Sequence, residues 1–116
     1  NSCGLSCDTS GPQAFSNLMS ALRSRFGSDL ITAAVPADAA KVDAGGFGPA
    51  AQYVNWYNVM TYDYFGSWAT TGPTAPHSPL SSYSGIPVAG WDTQDSIAKY
   101  RSVGVPANKL LMGIGF

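Results

Sequence analysis

The run Tyr57-Asn58-Val59-Met60-Thr61-Tyr62-Asp63 holds the residues of this chain best placed to do chemistry. Read as an extended strand, it turns Asn58, Met60 and Tyr62 to one face and Val59 and Thr61 to the other, because successive strand side chains alternate. If the first face looks into a cavity, Tyr62 stands at its mouth with Met60 beneath, and Asp63, just past the strand, bends inward beside the tyrosine. A phenol and a carboxylate then meet in one pocket. The alternative reading of the same residues is a core strand with Tyr62 packed at its end and Asp63 serving as a turn residue or helix N-cap. Periodicity by itself leaves both open.

Other reactive side chains have a weaker setting. His77 is the only histidine, and its segment between Pro76 and Pro79 reads as surface or loop packing rather than as a base. Ser78, Ser81, Ser82 and Ser84 have no strand-turn-helix elbow and no partner base, so none reads as a nucleophile. The stretch Gly45-Gly46-Phe47-Gly48 lacks the Lys-Ser/Thr that would follow in a phosphate loop and reads as a turn. Trp56 and Trp91 read as core or helix-boundary packing. Cys3 and Cys7, in a loop-like stretch with Gly4 and Ser6, are spaced either to close a small disulfide loop in an oxidising compartment or to stand as two thiols. With only His77 to add, they fall short of the four ligands of a tetrahedral zinc site, and neither a metal nor a cofactor is expected.

Composition narrows the ligand class. The formal net charge is −1 and only 11% of residues are charged, which supplies neither a basic patch for nucleic acid nor a polybasic surface for anionic lipid. The chain carries no apolar run of about 18 residues, so no membrane association is expected, and with no leader peptide in these residues any export signal is expected elsewhere. Its surface residues are instead rich in Ser, Thr, Asn and Gly, with 12% aromatics, a mixture suited to an uncharged ligand such as a sugar, where ring stacking and hydrogen bonds carry the affinity.

The elements that must position these residues follow from pattern. Ser10 is the expected N-cap ahead of Pro12, and Phe15, Leu18, Met19, Leu22 and Phe26 recur at helical spacing until Gly27, giving a helix of about four turns. Leu30-Ile31-Thr32-Ala33-Ala34-Val35 reads as a strand buried on both faces and ended by Pro36. A short helix is expected over residues 49–54 and a second strand over residues 57–62. Residues 65–91, punctuated by Pro73, Pro76, Pro79, Pro87 and four glycines, form a long loop, and a loop of that length usually has a job. Asp92 or Thr93 then caps a helix running to Gly104, and Leu110-Leu111-Met112-Gly113-Ile114-Gly115-Phe116 reads as a third buried strand. Helices alternating with buried strands predict an α/β fold with a parallel sheet and βαβ crossovers.

The motif Met60-Thr61-Tyr62-Asp63, followed by Gly66 and Trp68, resembles the sixth-strand motif of family 18 glycoside hydrolases, the chitinases with a (β/α)8 barrel. Residues 30–35 look like the fifth strand, Thr71-Gly72-Pro73-Thr74-Ala75-Pro76-His77-Ser78-Pro79-Leu80 resembles the loop after the sixth, and residues 110–116 look like the seventh. The resemblance covers nearly the whole chain and is closest to the secreted bacterial chitinases. It implies a secreted, monomeric chitinase acting on chitin or N-acetylglucosamine oligomers by retaining hydrolysis, in which the substrate's own N-acetyl group attacks the anomeric carbon. Carried over residue by residue, Tyr62 donates to the acetamido carbonyl, Asp63 orients and stabilises the oxazolinium ion, Met60 lines the same subsite and Trp68 stacks on a sugar ring on the leaving-group side.

One departure from the family pattern is informative. All seven acidic residues are aspartates and the chain has no glutamate, whereas the family's general acid is the glutamate that ends a D-x-x-D-x-D-x-E motif on the fourth strand. By family spacing it falls a few residues before Asn1. A complete barrel takes roughly 250 residues, so the expectation is a fragment of one catalytic domain, residues 1–116, cut at both ends, running from the helix after strand four through strand seven and inactive alone. Two relatives of the same fold remain as alternatives: a chitin-binding lectin without hydrolytic activity, and an endo-β-N-acetylglucosaminidase.

Overall fold

The computed structural model describes residues 5, 6 and 9–116. Cys3 and Cys7, and with them the disulfide, lie outside the described residues. The elements run α1 (Gln13–Phe26), β1 (Thr32–Pro36), α2 (Ala39–Gly45), α3 (Phe47–Ala50), β2 (Trp56–Met60), α4 (Thr93–Ser102), a 3-10 turn (Ala107–Lys109) and β3 (Leu110–Met112). The strands form one parallel sheet in the order β1-β2-β3, with Ala34 opposite Asn58 and Asn58 opposite Leu111. The expected α/β class and parallel sheet are therefore observed.

Several local expectations change. Pro12, not Ser10, occupies the N-cap of α1; its ring already fixes φ at −66°, and with ψ at −19° the helical conformation reaches one residue further back. The helix expected over residues 49–54 is displaced to Phe47–Ala50, and α2 precedes it, started by Asp38, whose carboxylate accepts the Lys41 amide at 3.0 Å. Between them Gly46 makes the left-handed turn that the glycine-rich stretch predicted. Asp92 caps α4 as expected, accepting the Asp95 amide at 2.9 Å. The third strand stops at Met112 rather than running to Phe116.

The core forms on one face of the sheet. Val35, Tyr57 and Val59 meet Met19, Val42, Phe47, Ala50 and Tyr100 from the helices, with Phe15 and Leu22 packed alongside. Phe15 meets Phe47 edge-on at 4.9 Å, and Phe47 meets Tyr57 at 6.0 Å and Tyr100 at 5.6 Å. Both buried phenols are satisfied: Tyr57 donates to the Phe47 carbonyl at 2.8 Å and Tyr100 to the Pro36 carbonyl at 2.6 Å. The other face, bearing Thr32, Ala34, Asn58, Met60 and Leu111, is exposed. The expectation that the first strand is buried on both faces is thus corrected. The helices cover one side only, and period-two burial along β1 and β2 records it.

Candidate functional site

At the carboxyl end of the sheet the chain leaves β2 through Thr61, which is 1% exposed. Its hydroxyl donates to the Gly113 carbonyl at 2.6 Å, while the Gly113 amide donates to the Val59 carbonyl at 2.9 Å. The ends of β2 and β3 are therefore tied together directly beneath Tyr62. Glycine is required at two positions there. A Cβ on Gly113 would lie 2.6 Å from the Val59 carbonyl oxygen and 2.8 Å from Cε1 of Tyr62, and a Cβ on Gly115 would lie 2.9 Å from Cβ of Tyr62. Tyr62 is seated against backbone that carries no side chain.

Asp63 follows with φ of 59°, the only non-glycine residue with positive φ among the described residues. That left-handed turn costs about 1–3 kcal/mol for such a residue and persists where its surroundings over-determine it. The next residue, Tyr64, is buried, and its hydroxyl meets Ser96 Oγ at 2.7 Å. Ser96 gives its own proton to the Asp92 carbonyl at 2.9 Å, so Tyr64 is the donor to Ser96. Burial, partly offset by this bond, pushes the Tyr64 phenol above its ordinary value.

These turns open a cleft of about 350 Å³ at the carboxyl ends of β1 and β2, where parallel sheets place ligands. Met60, Tyr62, Asp63 and Trp68, the residues singled out in the sequence, all line it. Trp68 is 60% exposed, with its ring laid over Gly66, where a Cβ would collide with the indole. Pro36, Ala37, Asp38 and Lys41 add the wall after β1, and Tyr64 and Trp91 complete the lining. Trp91 packs on Phe65 at 5.4 Å, as its boundary reading predicted, and also faces the cleft. The cleft is thus lined by two tyrosines, two aspartates, a lysine and two tryptophans, among them groups that hold a polar ligand by ring stacking and hydrogen bonds.

His77 lies exposed in the loop, as the sequence suggested, and its ring also has a partner that the sequence did not reveal. Its Nε2 contacts Oδ1 of Asp63 and lies 3.2 Å from the Asp63 amide nitrogen, so it partners the residue on which the cleft turns. The available signal was a single histidine bracketed by prolines, without any periodicity to give it a direction. Asp38 and Lys41 were also missed, because they belong to the short α2 that the pattern did not reveal. Among the described residues no group of three His, Cys or Asp side chains is placed to hold a metal ion, and no helix is long and apolar enough to cross a membrane.

The family model for glycosyl hydrolases family 18 matches residues 4–116. The chain belongs to this family. Chitinase C of Streptomyces lividans is 62% identical over 121 residues, covering 100% of this chain and 20% of that protein. The Ostrinia furnacalis Group IV chitinase solved in complex with allosamidin superposes with a TM-score of 0.84 at 28% identity, covering 98% of this chain and 32% of that one. A mutant of Ostrinia furnacalis Group II chitinase catalytic domain 2, solved in complex with penta-N-acetylchitooctaose, gives 0.82 at 25% identity over 88% of this chain and 27% of that one. The chain therefore spans about one fifth of the length of the curated relative, and its three parallel strands are part of a (β/α)8 barrel.

Proposed function

We propose that the protein carrying this chain is a chitinase, secreted and monomeric, that hydrolyses β-1,4-linked N-acetylglucosamine polymers with retention of configuration. The observation that carries this reading is the gathering of Met60, Tyr62, Asp63 and Trp68 around one cleft at the carboxyl end of a family 18 sheet. The chemistry assigned is substrate-assisted: the acetamido carbonyl oxygen attacks the anomeric carbon as the glycosidic bond breaks, and water then opens the oxazolinium ion. Tyr62 donates to the acetamido carbonyl and holds it for attack. The Asp63 carboxylate stabilises the positive charge that develops on the acetamido group. Met60 supports the sugar from below, and the exposed indole of Trp68 stacks on the leaving-group side.

With no glutamate among the 116 residues, the reading assigns the proton donor to sequence before Asn1 and treats residues 1–116 as one part of a catalytic barrel, inactive by itself. The test is hydrolysis of soluble N-acetylglucosamine oligomers by the full-length protein. Asp63→Ala and Tyr62→Phe each should lower kcat by about 100-fold or more, the usual cost of removing a group aimed at developing charge. Wild-type turnover by Asp63→Ala would defeat the assignment. Binding of chitin oligomers without any turnover by the wild-type protein would make it a lectin, and release of glycans from glycoproteins but no turnover of chitin oligomers would make it an endo-β-N-acetylglucosaminidase.

A further inference from the structure

We propose that His77 is a positioning residue that fixes the Asp63 carboxylate at the cleft; the inference rests on the role assigned to Asp63 above. The two side chains are 42% and 62% exposed, so burial does not force them together. What brings them together is the backbone of the long loop. The His77 carbonyl accepts the Tyr64 amide at 3.0 Å, and two residues later Pro79 and Leu80 offer their carbonyls to the first amides of α4, Thr93 at 2.9 Å and Gln94 at 3.0 Å. Helix N-terminal amides need acceptors from outside the helix. Here they hold the His77 segment across the end of the sheet.

The imidazole is confined on its far side as well. A Cβ on Gly115 would lie 2.6 Å from Cε1 and 3.0 Å from Nδ1 of His77, so the glycine after β3 leaves the space in which the ring lies beside Tyr62. With that edge fixed, Nε2 faces both the amide and the carboxylate of Asp63. One nitrogen serves one of these partners at a time: carrying a proton it donates to Oδ1, and without one it accepts from the amide. Either state stabilises the left-handed backbone of Asp63, and the protonated nitrogen also fixes the carboxylate rotamer. Reach toward a ligand then belongs to the second carboxylate oxygen. The loop between β2 and α4 has the job of carrying this histidine to Asp63.

The experiment is steady-state hydrolysis of a soluble N-acetylglucosamine oligomer by the full-length protein and its His77→Leu, His77→Gln and Asp63→Ala variants, with the His77→Leu/Asp63→Ala double variant completing a cycle. His77→Leu should lower kcat about 10- to 100-fold, the usual size for a residue that orients another, with KM changed less than about threefold because the subsites are untouched. His77→Gln, whose amide can donate to the same oxygen, should recover most of that loss. In the Asp63→Ala background the leucine should have no further effect. Wild-type kcat for His77→Leu beside an inactive Asp63→Ala overturns this inference and leaves the assignment of Asp63 standing. Equal loss with leucine and glutamine also overturns it, since packing alone then explains the effect. Full activity of Asp63→Ala defeats the assignment of Asp63 itself and this inference with it. If leucine lowers the melting temperature, His77→Ala against His77→Gln is read in the same way.

Discussion

The hydroxyl of Thr61, past the end of β2, donates to the carbonyl of Gly113, past the end of β3, at 2.6 Å. This bond closes the two strand ends on each other below Tyr62, at a point where the ladder between β2 and β3 has ended at Met112. Thr61→Val keeps the shape and removes the donor. The expected outcome is a loss of about 1–2 kcal/mol, because a carbonyl near the core loses its partner, and a lower kcat because the seat of Tyr62 loosens. Thr61→Ser should keep most of both. Urea unfolding and oligomer hydrolysis of the full-length variants check the pair.

Arg23 makes the corresponding tie at the opposite end of the strands. Its Nε donates to the Tyr53 carbonyl at 2.9 Å, Nη1 to the Gly27 and Asp29 carbonyls at 2.7 and 2.9 Å, and Nη2 to Asn55 Oδ1 at 2.8 Å. The same Asn55 oxygen accepts the Ile31 amide at 2.8 Å, so the guanidinium joins the end of α1 to the entries of β1 and β2. A lysine cannot span these acceptors, since its ammonium is a single point and the guanidinium is a planar fork. Arg23→Lys should therefore cost about 2–3 kcal/mol while leaving kcat within about twofold, because the cleft lies at the other end of the sheet. Thermal unfolding beside an activity assay distinguishes this from damage at the cleft.

How much of this was legible in the sequence depended on whether a residue announced its direction locally. The alternation in residues 57–62 placed Met60 and Tyr62 on the cleft side of β2, and Asp92 announced α4, because period and capping act within a few residues. The first strand misled: Ile31, Ala33, Ala34 and Val35 are apolar throughout, so nothing in them distinguished one covered face from two, and only the open side of the sheet revealed Thr32 and Ala34 as exposed. Helix α2 escaped notice because Val42 is its single buried residue. His77 escaped for another reason. Its approach to Asp63 crosses an irregular loop, and what fixes that loop is carbonyls meeting amides of α4, a contact any residue type can make.

Alkaline pH tests the aromatic core. Tyr57 and Tyr100 are both 0% exposed, and burial pushes both phenols far above their ordinary range, Tyr100 also feeling its neighbour Tyr57. An unfolded tyrosine ionises near pH 10, whereas these two keep their protons in the folded chain. Above pH 10 the folded state therefore holds more protons than the unfolded one, and the free energy of unfolding falls as pH rises. The stability tied to them is complete below pH 10 and lost above it at about 1.4 kcal/mol per pH unit for each phenol. Urea midpoints measured between pH 9 and about 11.5 should show the decline, and Tyr100→Phe should flatten it by one proton while lowering stability at pH 7 through loss of the bond to Pro36.

The uncovered face of the sheet sets the behaviour of the 116 residues expressed by themselves. Met60 and Leu111 on this face are 37% and 46% exposed, and β1 and β3 each pair with β2 on one side only. Apolar side chains and unpaired backbone edges in this arrangement favour association. The isolated chain should bind a hydrophobic dye, self-associate in sedimentation at micromolar concentration and unfold without a sharp transition. In the full-length protein the same face should be closed: cysteines introduced in place of Ala34 and Leu111 should label rapidly in the isolated chain and at least about tenfold more slowly in the whole protein, where labelling requires opening of the structure. Equal labelling rates in the two would mean that the remaining chain leaves this face open.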